Sequence, residues 1–407
     1  MGTIQQEQEE PLILSTTDQS RHFHRQQQEP EETNLISKIW VETKKQWLVA
    51  GPSIFSRLAM FSMTVITQAF AGHLGDLNLA AISIATTVII AITFGFLFTL
   101  QRFLQSQLKT AVIAWVSAIA LAVHVLVSWA FVYKLRVGIV GTAITLDISW
   151  WLSVLGLFLY AVCGGCPLSW NGFSSQAFVG LWDFFKLSLA SGVMLLLENF
   201  YYRILIIVSG YLHNTEIAID ALSICISIFG WESMIPLGFL AATGVRVANE
   251  LGAGNAKGVK FATIVSVITS LAVGFFFWSI IMGFHEKLAM IFTSSSPVIT
   301  MVNKFSTLLA FTVLLNCIQP VLSGVAVGSG WQAVVAFVNI GSYYIVGVPL
   351  GIFLGLLQFG ITGIWAGMIC GTVVQTLTLT IITMKCKWEI EAQKAQMHIS
   401  NDTASYL

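Results

Sequence analysis

The sequence predicts an all-α polytopic membrane protein with about ten transmembrane helices. The chain has 407 residues, of which 56% are hydrophobic and only 10% are charged, whereas a soluble domain is about a quarter charged. Its apolar residues run continuously over about twenty positions, the length that a helix needs to cross the hydrocarbon core. This continuity argues against a transmembrane β-barrel, whose strands alternate apolar and polar residues over about ten positions.

Ten apolar segments meet the length requirement, and short connections rich in Gly, Asn, Ser and Pro separate them. In chain order they are 47–71, 79–100, 110–133, 138–163, 184–212, 219–244, 261–284, 305–327, 332–357 and 360–384. With both termini in the cytosol, the cytosolic loops and helix ends carry ten Lys and Arg residues and the opposite side carries four. This bias supports a cytosolic location for both termini.

Composition and motifs argue against several other classes of protein. The net charge is zero and the chain has no basic block, so we expect no nucleic-acid partner. The turn GAGNAKG at 252–258 lacks the strand context and the Lys-Ser/Thr pair of a phosphate loop, so we expect no nucleotide. Cys163 and Cys166 form a CxxC without a second Cys or His cluster, which predicts packing residues rather than a metal site. No His, Asp or Cys cluster gathers at a membrane face, so we expect no enzyme activity.

The sequence contains a tandem repeat with unequal copies. AISI at 81–84 aligns with ALSI at 221–224, an offset of 140 residues, whereas GIVG at 138–141 aligns with GITG at 360–363, an offset of 222. The offset therefore jumps by about 80 residues, and the first copy lacks material equivalent to roughly 241–322 of the second. The missing part crosses the membrane an even number of times, so the helices that follow keep their orientation.

The repeat divides the chain into two lobes, the first with four predicted helices and the second with six. The N-terminal residues are polar and acidic and lack the apolar core of a signal peptide. The predicted regions are a disordered cytosolic tail 1–40, a truncated N-lobe 41–163, a cytosolic inter-lobe loop 164–183, a C-lobe 184–385 and a cytosolic tail 386–407.

Four segments resemble plant multidrug and toxic compound extrusion (MATE) transporters. They are FAGHLGDLNLAA at 70–81, LASGVMLLLENFYYRILI at 189–206, PLGFLAATGVRVANELGAGN at 236–255 and LLAFTVLLNCIQPVLSGVAVGSGWQ at 308–332. The resemblance covers roughly residues 35–390 and implies a two-lobe helical bundle, usually of twelve spans, that exchanges cations for organic solutes. This chain differs from the family at the place where the two copies of the repeat become unequal. The family's third span and most of its fourth are absent from the first lobe.

Glu198 is the first candidate for a functional residue. It lies fourteen residues into its predicted span, about 21 Å along the helix and near the middle of the bilayer. A carboxyl there could take up and release a proton, and the resemblance implies a role in proton coupling at this position. The alternative is a structural carboxylate held by a neighbour, although Arg203 is five positions away and points about 140° around the helix.

Other polar and aromatic residues in the spans are candidates for a substrate cavity. Asn316 cannot titrate, but it could hydrogen-bond Glu198 or a solute, or it could form a structural hydrogen bond between helices. The tyrosines could stack on a flat solute or pack in the helix bundle. Glu232 could line the cavity or stabilise a kink at Pro236. His124 is expected to be a buried polar residue whose hydrogen bonds are satisfied. The cavity candidates are Asn199, Tyr202, Arg203, Glu232, Asn316, Gln319, Tyr343, Tyr344 and Asp147.

The resemblance therefore implies a secondary active transporter that couples proton antiport to efflux or vacuolar sequestration of organic solutes such as flavonoid-type or xenobiotic compounds. The expected partners are the lipid bilayer, a small organic solute and protons, and the proton gradient takes the place of a cofactor. The resemblance favours the vacuolar membrane, with the plasma membrane as the alternative, and EEPLIL at 9–14 weakly resembles an acidic dileucine vacuolar sorting signal. The alternative is a transport-inactive truncated isoform that is degraded or acts as a dominant-negative partner of the full-length transporter.

Overall fold

The computed structural model describes residues 34–72, 93–167, 169–170, 172, 174, 178–209 and 216–405, and the regular structure within them is helical. The helices are α1 Leu35–Gly72, α2 93–106, α3 Thr110–Trp129, α4 Ile139–Tyr160, α5 Leu181–Ser209, α6 Glu216–Gly252, α7 Ala256–Met290, α8 Ser296–Asn316, α9 Gln319–Gly328, α10 Gln332–Asn339, α11 Val348–Leu354, α12 Gly360–Lys385 and α13 Trp388–Ser405. Wider π-helical turns extend α3, α4, α10 and α11 over Ala130–Lys134, Ala161–Gly165, Ile340–Gly347 and Gly355–Phe359.

Eight stretches of the described chain are long and apolar enough to cross a membrane, which confirms the predicted all-α membrane fold. They are Leu35–Gln68, Thr110–Val132, Ile139–Gly165, Ile217–Gly252, Ala256–Met290, Ser296–Gly328, Gln332–Leu357 and Gly360–Lys385. Of the two other predicted spans, 184–212 corresponds to the 29-residue helix α5. The span predicted at 79–100 lies mostly outside the described residues.

Each lobe has its own apolar core, and the outer surface is also apolar. In the N-lobe, Met63, Leu104 and Ile113 bring α1, α2 and α3 together. In the C-lobe, the corresponding core joins Tyr201 of α5 to residues of α6, α8 and α12. Large side chains on the outside are exposed, for example Phe337 at 74%, as expected for helices that face lipid rather than water.

Helices α1 and α6 run antiparallel and join the two lobes. Trp47 packs edge-on against Phe239 with ring centroids 5.3 Å apart, and Phe61 packs in the same way against Trp231 at 5.3 Å. Between them, Gly238 lets α6 approach α1 so closely that an added Cβ would overlap Ile54. This contact extends over several helical turns.

A second close contact positions α9 beside α6. The span Ser296–Gly328 is broken at Cys317–Ile318, where α8 ends and α9 begins with Pro320 in its first turn. Proline lacks an N–H and is tolerated at that position of a helix. A Cβ at Gly324 would lie 2.6 Å from the Leu240 carbonyl oxygen of α6, so the break is held tightly inside the C-lobe. By contrast, α1 and α6 continue through Pro52 and Pro236.

Helix α13 closes one end of the C-lobe. Trp388 stacks on Trp331 with ring centroids 5.4 Å apart, and Trp331 donates a 3.4 Å hydrogen bond to Glu391. Lys260 of α7 pairs with Glu389 at 3.2 Å. The predicted cytosolic tail 386–407 is therefore packed, over its described part, against the helix ends it follows.

Candidate functional site

A cavity of about 400 Å³ lies in the C-lobe and is lined by α5, α6, α8, α9 and α12. Most of its wall is apolar. The polar side chains on the wall are few and converge from different helices, as is usual for sites that bind small organic molecules. They are Glu198, Asn199, Arg203, Ser233, Thr312, Asn316 and Thr372.

Glu198 lies on this wall, and the side-chain amide of Gln319 on α9 is next to its carboxyl group. Gln319 is completely buried. Its Nε2 donates a 3.1 Å hydrogen bond to Ser323, while its Oε1 has no hydrogen-bond partner in the described part of the chain. The predicted proton-coupling residue therefore faces the cavity and stands beside a buried, unsatisfied acceptor.

Asn316 lines the cavity, but its recorded partner is Glu232 rather than Glu198. The Asn316 amide donates to Glu232 Oε2 at 3.4 Å, and the Cys317 thiol donates to Glu232 Oε1 at 3.4 Å. Glu232 is only 4% exposed and is not part of the cavity wall. It holds the last turn of α8 against α6, immediately before the break between α8 and α9.

Asn199 and Arg203 both line the cavity, as expected of candidate solute-binding residues. The Asn199 amide already forms one hydrogen bond, because its Nδ2 donates to the Leu195 carbonyl of the same helix at 2.8 Å. Arg203 forms no ion pair with any residue that the structure describes. Its guanidinium is therefore available to a solute.

The structure places the predicted tyrosines in the packed interior instead of on the cavity wall. Tyr343 is fully buried and stacks on Tyr201 with ring centroids 4.0 Å apart. Its hydroxyl donates to Gln375 at 2.6 Å, and the Tyr344 hydroxyl donates to the Leu197 carbonyl at 2.8 Å. Both rings thus hold α5 against the turn after α10. The side chain of Tyr202 lies outside the described residues.

Two polar residues that sequence reasoning did not single out complete this support. Gln375 Nε2 donates to Asn339 Oδ1 at 2.7 Å, and Asn339 Nδ2 donates to the Met194 carbonyl at 3.3 Å. All these side chains are buried. They fix α5, and hence Glu198, relative to α10 and α12. The signal that could have found them is the presence of amide side chains in the middle of apolar spans.

The N-lobe candidates lie apart from the cavity. His124 is fully buried and contacts Thr67 at 3.2 Å and Ser149 at 3.0 Å, which is the satisfied environment expected for it. Asp147 is on α4, and its Oδ1 is buried without a hydrogen-bond partner among the described residues. It does not belong to the wall of the C-lobe cavity.

Comparisons with known proteins agree with this architecture. A family model described as MatE matches residues 190–353. Protein DETOXIFICATION 27 of Arabidopsis thaliana is 51% identical over 450 residues, which cover 90% of this chain and 93% of the relative. The chain belongs to the MATE family. Protein DETOXIFICATION 26 of the same plant is 47% identical, with 89% of this chain and 91% of the relative covered.

Solved MATE structures share the fold. The crystal structure of the eukaryotic MATE transporter AtDTX14 matches with a TM-score of 0.82 and 27% identity, covering 89% of this chain and 99% of that one. A MATE structure in the straight conformation matches with a TM-score of 0.71 at 13% identity, which supports the fold alone. Family and fold are thus those of transporters rather than enzymes.

This MATE chain is shorter than its relatives. The comparison with DETOXIFICATION 27 runs over 450 residues, although the chain itself has only 407. The relatives therefore contain residues that this chain lacks, as the unequal repeat predicts.

Proposed function

We propose that this chain is a secondary active transporter that exchanges protons for organic solutes, with Glu198 as the residue that takes up the proton. MATE membership supports transport of drugs and toxic compounds in general. Proton coupling through Glu198 is supported by its position on the wall of a solute-sized cavity, beside the buried amide of Gln319.

The amide of Gln319 can interact differently with the two protonation states of Glu198. An ionised carboxylate only accepts hydrogen bonds, whereas a protonated carboxyl also donates one. The Gln319 amide next to Glu198 has both kinds of group, because its N–H can donate to the ionised carboxylate and its buried Oε1, which has no described partner, can accept from the protonated carboxyl. Loss of the proton therefore changes how α5 and α9 interact. Coupling requires such a difference, because each ligand must bind two states of the protein with different affinity.

The cavity wall supports an organic solute that is mostly apolar. Phe229, Met234 and Trp365 supply apolar contact area, and Arg203 and Asn316 supply polar contacts. Flavonoid-type and xenobiotic compounds fit this description and are the solutes we propose. The proposed route is sequestration across the vacuolar membrane, with efflux across the plasma membrane as the alternative.

Uptake into vesicles tests the proposal. The purified chain is reconstituted into liposomes, a pH gradient is imposed, and accumulation of a fluorescent flavonoid is measured. We expect accumulation that collapses with the gradient, and Glu198→Gln should reduce gradient-driven uptake by about 100-fold, because the amide cannot carry the proton. Glu286→Gln is the matched control, since Glu286 is exposed at the outer end of α7. Equal uptake by both variants would exclude Glu198 as the proton carrier.

The second candidate is that the shortened chain does not transport. The observation that favours it is the missing material itself, because the relatives carry residues that this chain lacks. The same vesicle assay decides between the two candidates when a form with the missing segment restored from a relative is measured in parallel. Uptake by the restored form and none by the present chain would support an inactive isoform.

A further inference from the structure

Two arginines of the N-lobe lie close together inside the membrane-spanning region. Arg57 is on α1 and Arg102 is on α2, and they are near enough for their like charges to repel. Both are partly buried. Across the part of the chain that the structure describes, neither forms an ion pair with a carboxylate. Charged side chains at this depth are costly and as a rule have a partner or a functional role.

The contact between α1 and α2 explains why the two arginines are adjacent. Gln101 donates to Ser56 at 3.1 Å, and Gln105 donates to Ser53 at 3.1 Å. Arg102 directly follows Gln101 on α2, as Arg57 directly follows Ser56 on α1. The Arg102 guanidinium is also held by its own helix, because its Cζ lies 4.7 Å from the centre of the Phe98 ring. The pair is therefore positioned by the packing of the N-lobe.

The depth of Arg57 separates it from the membrane surface. Thr110, at the start of α3, donates to the Leu48 carbonyl at 2.8 Å, and in the predicted topology this contact marks the cytosolic end of the N-lobe. Arg57 is nine residues further along α1, about 13 Å at the helical rise. In that topology the charge of Arg57 lies well inside the hydrocarbon region. Arg102, which the sequence-based charge count assigns to a cytosolic helix end, lies at the same level because the adjacent Gln101 bonds to Ser56.

Arg57 also belongs to the stripe of α1 that faces the C-lobe. Ile54 and Phe61 lie three and four positions from Arg57 and therefore share its side of the helix. Ile54 is against Gly238 of α6, and Phe61 is against Gly230. The residues of α6 between these two glycines include Ser233 and Met234, which line the C-lobe cavity. Arg57 is thus at the level of the cavity, on the opposite lobe.

We propose that Arg57 and Arg102 form an oxyanion-binding site on the N-lobe side of the contact between the lobes. Guanidinium groups present several N–H donors in a planar fork that suits carboxylates, sulfates and phosphates. The proposed ligand is an organic anion whose acidic group binds the two arginines. Identifying this ligand with a transported solute rests on the proposed antiport function; the binding site itself does not.

Equilibrium binding measures the site without any gradient. The full chain is placed in phosphatidylcholine nanodiscs, and fluorescence titration compares 4-methylumbelliferyl sulfate with the neutral 4-methylumbelliferyl glucoside. We expect the sulfate to bind at least about tenfold more tightly, the size of effect that one charge-assisted hydrogen bond gives. Arg57→Gln and Arg102→Gln should each remove this preference, and Arg57→Lys should keep part of it. Arg136→Gln, a loss of charge at an exposed loop position, should leave it unchanged.

Several outcomes would overturn the proposal. One is equal affinity of the native chain for the two probes, and another is an unchanged preference in Arg57→Gln and Arg102→Gln. Loss of the preference in Arg203→Gln but not in Arg57→Gln would place the anion in the C-lobe cavity instead. Thermal unfolding without ligand shows whether each variant folds, and we expect Arg57→Gln to be at least as stable as the native chain because repulsion is relieved.

A second set of nanodiscs distinguishes a solute from a lipid as the source of the oxyanion. Phosphatidylglycerol replaces part of the phosphatidylcholine, and the sulfate titration is repeated. If the arginines bind a lipid phosphate, the anionic lipid competes and weakens sulfate binding in the native chain but not in Arg57→Gln. Unchanged sulfate affinity assigns the site to a free solute. Because no proton gradient is present, either result stands even if gradient-driven uptake fails.

Discussion

At the level of single residues, the cavity depends on side chains that hold its walls as much as on those that line them. Asn316 shows this division, because it lines the cavity and also donates to the buried Glu232 behind it. Tyr343 contributes only from behind the wall, through its stacking on Tyr201 and its hydrogen bond to Gln375. The position of Glu198 therefore depends partly on residues that lie behind the cavity wall.

Tyr343→Phe tests this support at the residue scale. The change keeps the ring and its stacking but removes the hydroxyl that donates to Gln375 at 2.6 Å. Gln375 is fully buried, so an unsatisfied oxygen there should destabilise the protein by about 1–3 kcal/mol. Denaturant titration in detergent micelles measures the change. Thr378→Val removes an exposed hydroxyl that bonds only within its own helix, and its effect should be within about 0.5 kcal/mol.

Polar residues in apolar spans could be identified from the sequence, but their partners could not. Glu198, Glu232 and Asn316 are conspicuous because charge and amide groups are costly in a membrane. Which of them pair is decided by the fold, since Asn316 and Glu232 are 84 positions apart in the chain. The tyrosines gave no such signal, because an aromatic residue at helical spacing suits a packed core and a solute cavity equally well.

At the level of helices, small residues decide how closely the elements of the C-lobe approach. Gly324 of α9 lies against the backbone of α6 at Leu240, and Gly328 lies against Gly244 in the same way. Close backbone approach through small residues is a general basis of helix association in membranes. Hydropathy could predict the span around α9 but not its break at Cys317–Ile318, because both halves of the span are equally apolar.

Gly324→Ala tests the α6–α9 contact at the scale of elements. A Cβ at this position would lie 2.6 Å from the Leu240 carbonyl oxygen, so the helices must separate, at a cost of about 1–3 kcal/mol. We expect lower thermal stability and weaker solute binding, since α9 carries Gln319. Gly283→Ala on α7 is the matched control, because nothing lies within 4 Å of its added Cβ. A helical alanine there should be neutral or slightly stabilising, and equal effects of the two changes would contradict the packing role of Gly324.

At the level of the whole molecule, the two lobes meet along α1 and α6, and this contact combines apolar packing with one ion pair. Arg246 of α6 donates to both oxygens of Glu42 on α1, at 2.8 and 2.9 Å, and also to Glu250 at 2.7 Å. The repeat predicted two lobes, and the comparisons confirmed the family. Neither indicated the contact between Glu42 and Arg246. The two residues are 204 positions apart in the chain, and each alone looks like an ordinary charged residue near a helix end.

Charge exchange across Glu42 and Arg246 tests whether the ion pair holds the lobes together. Both side chains are largely buried, at 9% and 11% exposure, and a bidentate pair in such a place is costly to break, by about 3 kcal/mol or more. Glu42→Arg should therefore open this end of the contact and lower thermal stability. Adding Arg246→Glu to the same chain should recover part of the loss, because the opposite charges face each other again. Recovery remains partial, since a glutamate at 246 repels Glu250.

A cysteine pair reports the distance between the lobes in the same variants. Trp47 and Phe239 form the next contact along α1 and α6. Cysteines at these two positions should therefore cross-link readily in a chain whose own six cysteines have been replaced. Cross-linking should fall in Glu42→Arg and return in the charge-exchanged chain. The matched control is Lys394→Glu on α13, which breaks an exposed pair with Glu391 and should leave cross-linking unchanged, because exposed pairs contribute little. Unchanged cross-linking in Glu42→Arg would mean that apolar packing alone holds the lobes together.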